Sequence, residues 1–350
     1  MQKDAHGVVL PVIPTLDVGT DFPMATLLAD EPRAHALMDH ALADVPRGAL
    51  RLLDAVSRRW LVKSGNSQLQ EIDAIAGRLA RPGTHFLSVN YEWGCTVGVG
   101  PSSDGGSARM VRTLDWMTDG LGRYIMAATV RCRLGPFVTL TWPGFTGVLQ
   151  AMAPGRFCAA LNQAPMRKSG GGVYPIDWAI NRARVWRMPH QMPAQLLRTV
   201  FETARDFTTA RRMLTDEKIA APAIFTLAGL TAEDTCAIER TEHDAYAIDG
   251  RAYAGNHWQS PSWTGRARGI DSEGRIARLR AASIPELDPD FPWLAPPVLN
   301  TTTRLAMVAD AAQGRMVAQG FENCVAVTRP LVWPGDGMAV NTRRSASFRR

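Results

Sequence analysis

The sequence predicts an α+β protein in which two sheets pack together and helices cover their outer sides. Three observations carry this. The chain opens with a helical region that runs to about Leu79. A block of short β-prone segments follows from Arg81-Pro82-Gly83 to about Leu161. A second strand group, Ala223 to about Tyr253, comes after two further helical stretches.

Val8-Val9-Leu10-Pro11-Val12-Ile13-Pro14 reads as a short extended piece. Ala25–Ala43 and Ala49–Val62 carry Leu27, Leu28, Leu37, Met38 and Leu42, then Leu50, Leu53, Val56 and Leu61, at three- and four-residue spacing, which predicts two helices. Pro46 and Gly48 separate them. The strands expected next are His85–Trp93, Cys95–Gly100, Ala108–Trp116, Ile125–Arg133, Phe137–Trp142, Val148–Ala153 and Arg156–Leu161, each bounded by turn residues. Ile176–Met188 and Pro193–Leu214 predict helices. Glu239–Asp249 predicts a hairpin through Thr241–Asp244. Helices near Arg275–Ala282 and Leu305–Gly320 are expected before a last strand near Val325–Val332.

The 350 residues are 46% hydrophobic and 21% charged, which is ordinary for a folded protein and argues against wholesale disorder. The length allows one large domain or two smaller ones. No run approaches the roughly 18 apolar residues of a membrane-spanning helix. The start, Met1-Gln2-Lys3-Asp4-Ala5-His6, lacks the pattern of a secretory signal, so the expected compartment is the cytoplasm. The net charge is +6, and the densest basic run, from Arg343-Arg344 to Arg349-Arg350, reads as a solvated tail. No nucleic-acid-binding signature accompanies it, so no nucleic-acid partner is expected. The five cysteines are odd in number and widely spaced, which argues against structural disulfides. There is no CxxC pair and no histidine cluster at ligand spacing, so neither a metal nor a cofactor is expected.

Cys95 stands apart from the other cysteines. It follows Gly94 and precedes the turn Pro101-Ser102-Ser103-Asp104-Gly105-Gly106-Ser107, which returns the chain as Arg109–Trp116. A hairpin centred on Asp104-Gly105 puts Cys95 opposite Thr113 or Leu114, with Arg112 and Asp115 flanking that position. A guanidinium beside a thiol favours the thiolate, and a carboxylate can hold the arginine or orient an amine. A cysteine alone in a strand is more often a small buried hydrophobe. Cys132, Cys158 and Cys236 lie in apolar strands, and Cys324 lies beside Asn323; all four read as structural.

Gly94-Cys95-Thr96 followed by Arg112-x-x-Asp115-Trp116 resembles the N-terminal nucleophile hydrolases of the acid ceramidase and N-acylethanolamine-hydrolysing acid amidase type. These are related to choloylglycine hydrolases and to acyl-coenzyme A:6-aminopenicillanic acid acyltransferases. Phe145-x-Gly147 through Pro154-Gly155-Arg156-Phe157 and Ala160-Leu161-Asn162, then Asn256-His257-Trp258, then Asp271-Ser272-Glu273-Gly274-Arg275 are similar to later family segments in the same order. Ile13-Pro14-Thr15-Leu16-Asp17 is similar to an early family strand.

The resemblance implies an αββα four-layer sandwich of two antiparallel sheets. It implies autocatalytic cleavage at Gly94–Cys95, dividing an N-terminal helical segment, 1–94, from a catalytic domain, 95–350, with the two fragments staying associated. Cys95 is then the nucleophile and, through its new α-amine, the base. Arg112 and Asp115 position amine, thiol and substrate carbonyl. Asn162 and Asn256 hold the oxyanion or the amine. Arg275 is a polar anchor, with Arg268 competing for that role. The implied reaction is hydrolysis of a linear N-acyl amide such as a ceramide or N-acylethanolamine-like lipid. Acyl transfer to an amine, and an uncleaved binding protein of the same fold, are the alternatives. Trp116, Met117, Leu121, Tyr124, Met126, Trp142 and Phe145 are candidates for an acyl pocket. The chain departs from the family in having Gln163 where a glutamate is common, and no counterpart of the relatives' disulfide is evident.

Overall fold

A computed structural model describes residues 9–90 and 92–335. The opening Met1–His6 and the basic run Arg343–Arg350 lie outside the described residues. The N-terminal part holds β1 (Thr15–Gly19) and helices α1 (Met24–Ala29), α2 (Glu31–Ala41), α3 (Arg47–Lys63), α4 (Leu69–Leu79) and α5 (Thr84–Leu87). Six strands follow: β2 (Trp93–Pro101), β3 (Ala108–Trp116), β4 (Met126–Cys132), β5 (Gly135–Thr141), β6 (Gln150–Ala153) and β7 (Phe157–Gln163). Next come α6 (Tyr174–Arg187), α7 (Pro193–Thr203) and α8 (Phe207–Asp216), then β8 (Ala223–Ala228), β9 (Thr235–Arg240), β10 (Ala245–Asp249) and β11 (Ala252–Ala254). The last elements are α9 (Ser272–Ala281), β12 (Thr303–Asp310), β13 (Arg315–Glu322), β14 (Val325–Ala326) and β15 (Leu331–Trp333).

One sheet has the order β1-β4-β5-β6-β7-β8-β9-β10, and the other β11-β2-β3-β12-β13-β14 with β15 also on β13. Strands β2 and β3 pack across β7 and β8. Helix α9 lies on β2 and β11, and α7 and α8 lie on β7, β8 and β9. The layers are therefore helix, sheet, sheet, helix, as the sequence predicts. The pairing differs from a purely antiparallel one at one place: β1 joins β4 in parallel. The helical N-terminal part thus contributes a strand to the larger sheet.

The core between the sheets comes from alternate residues of each strand, since strand side chains alternate faces. Val97, Val99, Met110 and Leu114 join Met152, Cys158 and Ala160 there. Val111 points the other way and meets Ile276 and Leu279 of α9. Phe201 of α7 stacks on Phe137 at 5.2 Å and on Phe157 at 4.9 Å between ring centroids, which fixes α7 to the larger sheet. Among the described residues, no helix is long and apolar enough to cross a membrane.

Five expected elements differ: Ala25–Ala43 divides into α1 and α2, with Asp30 capping the second, Val325–Val332 divides into β14 and β15, and three more depart as follows. His85–Trp93 is not a strand: α5 begins after Gly83, and β2 starts only at Trp93. Asp54 accepts the Phe86 N–H at 2.9 Å, and His85 is held between Asp54 and Asp73, so tertiary contacts override the β-prone run. Leu305–Gly320 is the hairpin β12–β13 and not a helix. Almost every position there is buried, so its apolar spacing carries no facial information. Pro193–Leu214 breaks into α7 and α8, and Asp206 caps the second with its carboxylate on the Thr209 N–H at 2.7 Å.

Candidate active site

The β2–β3 hairpin pairs Cys95 with Leu114, Val97 with Arg112 and Gly94 with Asp115. Directly paired residues share a face, so Cys95 and Arg112 point between the sheets. Gly94 and Asp115 face the other way, toward α9. Cys95 therefore sits where two hydrogen-bonded networks meet, one on each side of the strand.

The first network holds the sulfur. One Nη2 of Arg112 donates to Cys95 Sγ at 3.0 Å and to the Leu161 carbonyl at 2.9 Å. Its Nη1 donates to Asn162 Oδ1 at 2.9 Å. Asn162, at the end of β7, spends its own Nδ2 on the carbonyls of Ala254 and Gly255, both at 3.0 Å. Arg112 and Asn162 are wholly buried, so the guanidinium is oriented by a rigid frame. Burial pushes the Cys95 thiol up to about 12; Arg112 opposes this and Asp115 adds to it. In the continuous chain Cys95 is thus a protonated thiol at neutral pH.

The second network holds the backbone nitrogen of Cys95, which donates to Asn256 Oδ1 at 2.7 Å. Asn256 Nδ2 donates to the Gln163 carbonyl at 2.8 Å. Arg275, from α9, donates through Nη2 to the same Asn256 oxygen at 3.0 Å. Its Nη1 reaches Asp115 Oδ2 at 2.8 Å and Thr96 Oγ1 at 3.0 Å. The Thr303 hydroxyl donates to Asp115 Oδ1 at 2.9 Å. Arg275 and Asp115 are fully buried and make a charge-matched pair.

Cys95, Arg112, Asp115, Asn162, Asn256 and Arg275, the six residues singled out in the sequence, thus form one connected cluster. Asp115 is not beside the sulfur as its flanking position implies; the pleat places it across the strand, on Arg275. The side chain of Arg268 points away from the cluster. It donates through Nε to the Ala164 carbonyl at 2.9 Å and pairs with Glu92 at 2.9 Å. The sequence reading missed Thr303. Nothing local marks it, because its role depends on β12 lying beside β3. Among the described residues no group of His, Cys, Asp and Glu side chains is arranged to hold a metal ion.

One cavity reaches the cluster and a second lies beside Trp116. One of about 80 Å³ is lined by Trp93, Leu161, Asn162, Gln163, Trp178 and Arg268. The other, of about 140 Å³, is mainly apolar and is lined by Leu37, Met38, Trp116, Leu121, Trp142 and Phe145. The Trp93 and Trp116 rings stack at 5.4 Å, and Trp116 meets Trp142 edge-on at 6.0 Å. Four of the seven acyl-pocket candidates therefore line one cavity. Met117 is instead 78% exposed, Met126 is buried, and Tyr124 lies under the Arg33 guanidinium.

No family model matches the chain. It is similar to bovine acid ceramidase, with 24% identity over 194 residues covering 51% of this chain and 46% of that protein. Human acid ceramidase matches the same share at 26% identity. The chain thus spans about half the length of the curated relatives it matches. A solved structure of the Caenorhabditis elegans N-acylethanolamine-hydrolysing acid amidase ortholog aligns at a TM-score of 0.48 with 20% identity, over 62% of this chain and 93% of that one.

Proposed function

We propose that this chain, an N-terminal nucleophile hydrolase of the acid ceramidase type, cuts itself between Gly94 and Cys95 and then hydrolyses a linear N-acyl amide through a Cys95 thioester. One observation carries the reading. The sulfur of Cys95 and its backbone nitrogen are each held in a separate buried network, and the two networks converge on that residue.

In the first reaction Cys95 Sγ attacks the Gly94 carbonyl carbon. The Gly94–Cys95 C–N bond breaks, the thiol proton passes to the departing nitrogen, and a thioester joins Gly94 to the sulfur. Water then opens the thioester, giving a carboxylate on Gly94 and restoring the thiol. Glycine at this position offers the attacking sulfur the least steric hindrance. The fragments are 1–94 and 95–350, and β1 keeps the smaller one in the sheet.

Cleavage changes the chemistry of the nitrogen. An amide N–H becomes an α-amine whose ordinary pKa is about 7.7–8.0, a base poised near neutral pH. It takes the thiol proton that burial otherwise holds in place. Asn256, itself oriented by Arg275 and Asp115, keeps that amine in position. Arg112 steadies the thiolate, and Asn162 steadies Arg112. The Nε–H of Arg112 is buried with no acceptor among the described residues, a spare donor for charge developing on a substrate carbonyl. The apolar cavity beside Trp116 suits a hydrocarbon acyl group. The proposed compartment is the cytoplasm; Cys95, Cys132, Cys158, Cys236 and Cys324 are free thiols, as a reducing compartment keeps them.

The test is intact mass under denaturing conditions. The purified protein resolves into two fragments, the larger beginning at Cys95, and releases amine from N-acyl amides of long-chain acids. Cys95→Ala stays at 38.2 kDa and releases none. A wild-type protein that remains one chain after long incubation refutes the proposal and leaves a binding protein of this fold. An added amine acceptor that is itself acylated shifts the reaction to acyl transfer.

A further inference from the structure

We infer that Gln163, Tyr174, Arg268 and Gly269 form a receptor for Glu92-Trp93-Gly94, the three residues before the proposed cut, and that this receptor sets the rate of self-cleavage. The inference rests on the reading that the chain cuts itself at Gly94–Cys95. All four receptor residues lie after the cut, and the three residues they hold lie before it.

Each of the three is gripped by a different means. The Glu92 carboxylate is bound through both oxygens: Tyr174 donates its hydroxyl to Oε2 at 2.8 Å, and Arg268 reaches Oε1 through Nη1 at 2.9 Å. The Trp93 backbone N–H donates to Gln163 Oε1 at 2.8 Å. Gly94 is held by shape. A β-carbon on Gly94 stands 3.3 Å from the Gly269 α-carbon, and one on Gly269 stands 3.2 Å from the Gly94 α-carbon. Gly269 has φ +68°, a conformation that glycine adopts without strain. Two glycines therefore meet backbone to backbone beside the scissile bond.

The receptor is tied to the site itself. The Arg268 backbone N–H donates to the Asn256 carbonyl at 3.1 Å, and Asn256 holds the Cys95 nitrogen. Gln163 passes its own carbonyl to Asn256 Nδ2. The same two residues thus fix the chain on both sides of the bond. This matters because the glycine that admits the sulfur is also the residue with the loosest backbone. Attack requires a carbonyl held near its reacting geometry, and misplacement by an ångström lowers rates by up to about a hundredfold. The receptor restores the order that Gly94 lacks. Gln163, Tyr174, Arg268 and Gly269 are positioning residues; none is assigned a bond-making role.

The test follows fragment formation by mass spectrometry after synthesis of the full chain in a cell-free system. Arg268→Ala slows cleavage by about threefold, because Tyr174 still holds Glu92, and Glu92→Ala, which removes both contacts, by about tenfold; the double variant is no slower than Glu92→Ala alone, because the Arg268 contact is already lost with the carboxylate. Gln163→Leu slows it by about tenfold, whereas Gln163→Glu, which keeps an acceptor for the Trp93 N–H, stays within about threefold of wild type. Additive losses in the double variant, or equal slowing by Gln163→Leu and Gln163→Glu, overturn the receptor. So does wild-type speed in Arg268→Ala. A wild-type chain that never cuts fails the underlying reading instead, so the two failures are separable.

Discussion

Removing the charge of Asp115 leaves the Arg275 guanidinium buried without a counter-charge. The pair is 2.8 Å apart with both side chains at or below 1% exposure. In Asp115→Leu, Arg275 keeps Asn256, Thr96 and the Ile270 carbonyl as hydrogen-bond acceptors but loses the buried carboxylate that neutralises it. Breaking such a pair from one side costs about 3–5 kcal/mol. That is a large share of the ~5–15 kcal/mol that holds a typical protein folded. Arg275→Met incurs a comparable loss by stranding the carboxylate, which among the described residues keeps the Thr303 hydroxyl as its donor. Replacing both, Asp115→Leu with Arg275→Met, removes both stranded charges and recovers at least ~2 kcal/mol relative to the single variants. The assay is urea unfolding followed by fluorescence, in a Cys95→Ala background so that every sample is one continuous chain. Single variants that lose less than ~1 kcal/mol, or a double variant as weak as the two losses added, refute the claim that the pair is a closed, desolvated unit.

Two further outcomes follow from packing and titration. His85 lies between Asp54 and Asp73, and Arg58 chelates Asp73. Burial pulls the His85 pKa down, but the two carboxylates outweigh it and the net shift is upward. A raised folded value means that the stabilisation is complete below the unfolded pKa of about 6.5 and is lost as pH rises through the folded value. The thermal midpoint of the Cys95→Ala chain therefore falls from pH 6 to pH 9 by more than that of the same chain carrying His85→Gln, and an equal fall in both rules the mechanism out. Phe201→Ala empties the stack between Phe137 and Phe157 and costs about 3–5 kcal/mol in the same urea assay; a loss under ~1 kcal/mol contradicts the packing described.

The sequence places Cys95 within one residue of its true partner, because Asp104-Gly105 marks the turn and a hairpin transmits that mark along both strands. That last residue of ambiguity decides which face Asp115 occupies, since faces alternate with every step. Arg275 is recognisable only through a resemblance: 160 positions separate it from Asp115, and no local pattern spans that distance. The misreading of Leu305–Gly320 has the opposite origin. Its residues are apolar on both faces of a covered strand pair, so no polar side records the period. His85–Trp93 misleads because aspartates from α3 and α4 dictate its path.

The turn at 102–107 carries a constraint of length more than of composition. When one extra residue there is drawn into the ladder instead of bulging into the turn, β3 re-threads by a single step. Thr113 and Asp115 then turn inward and Arg112 outward, so the thiol faces a hydroxyl and an acid where it had a cation. An insertion some distance from the sulfur thereby exchanges the electrical sign of its surroundings while leaving every side chain chemically intact.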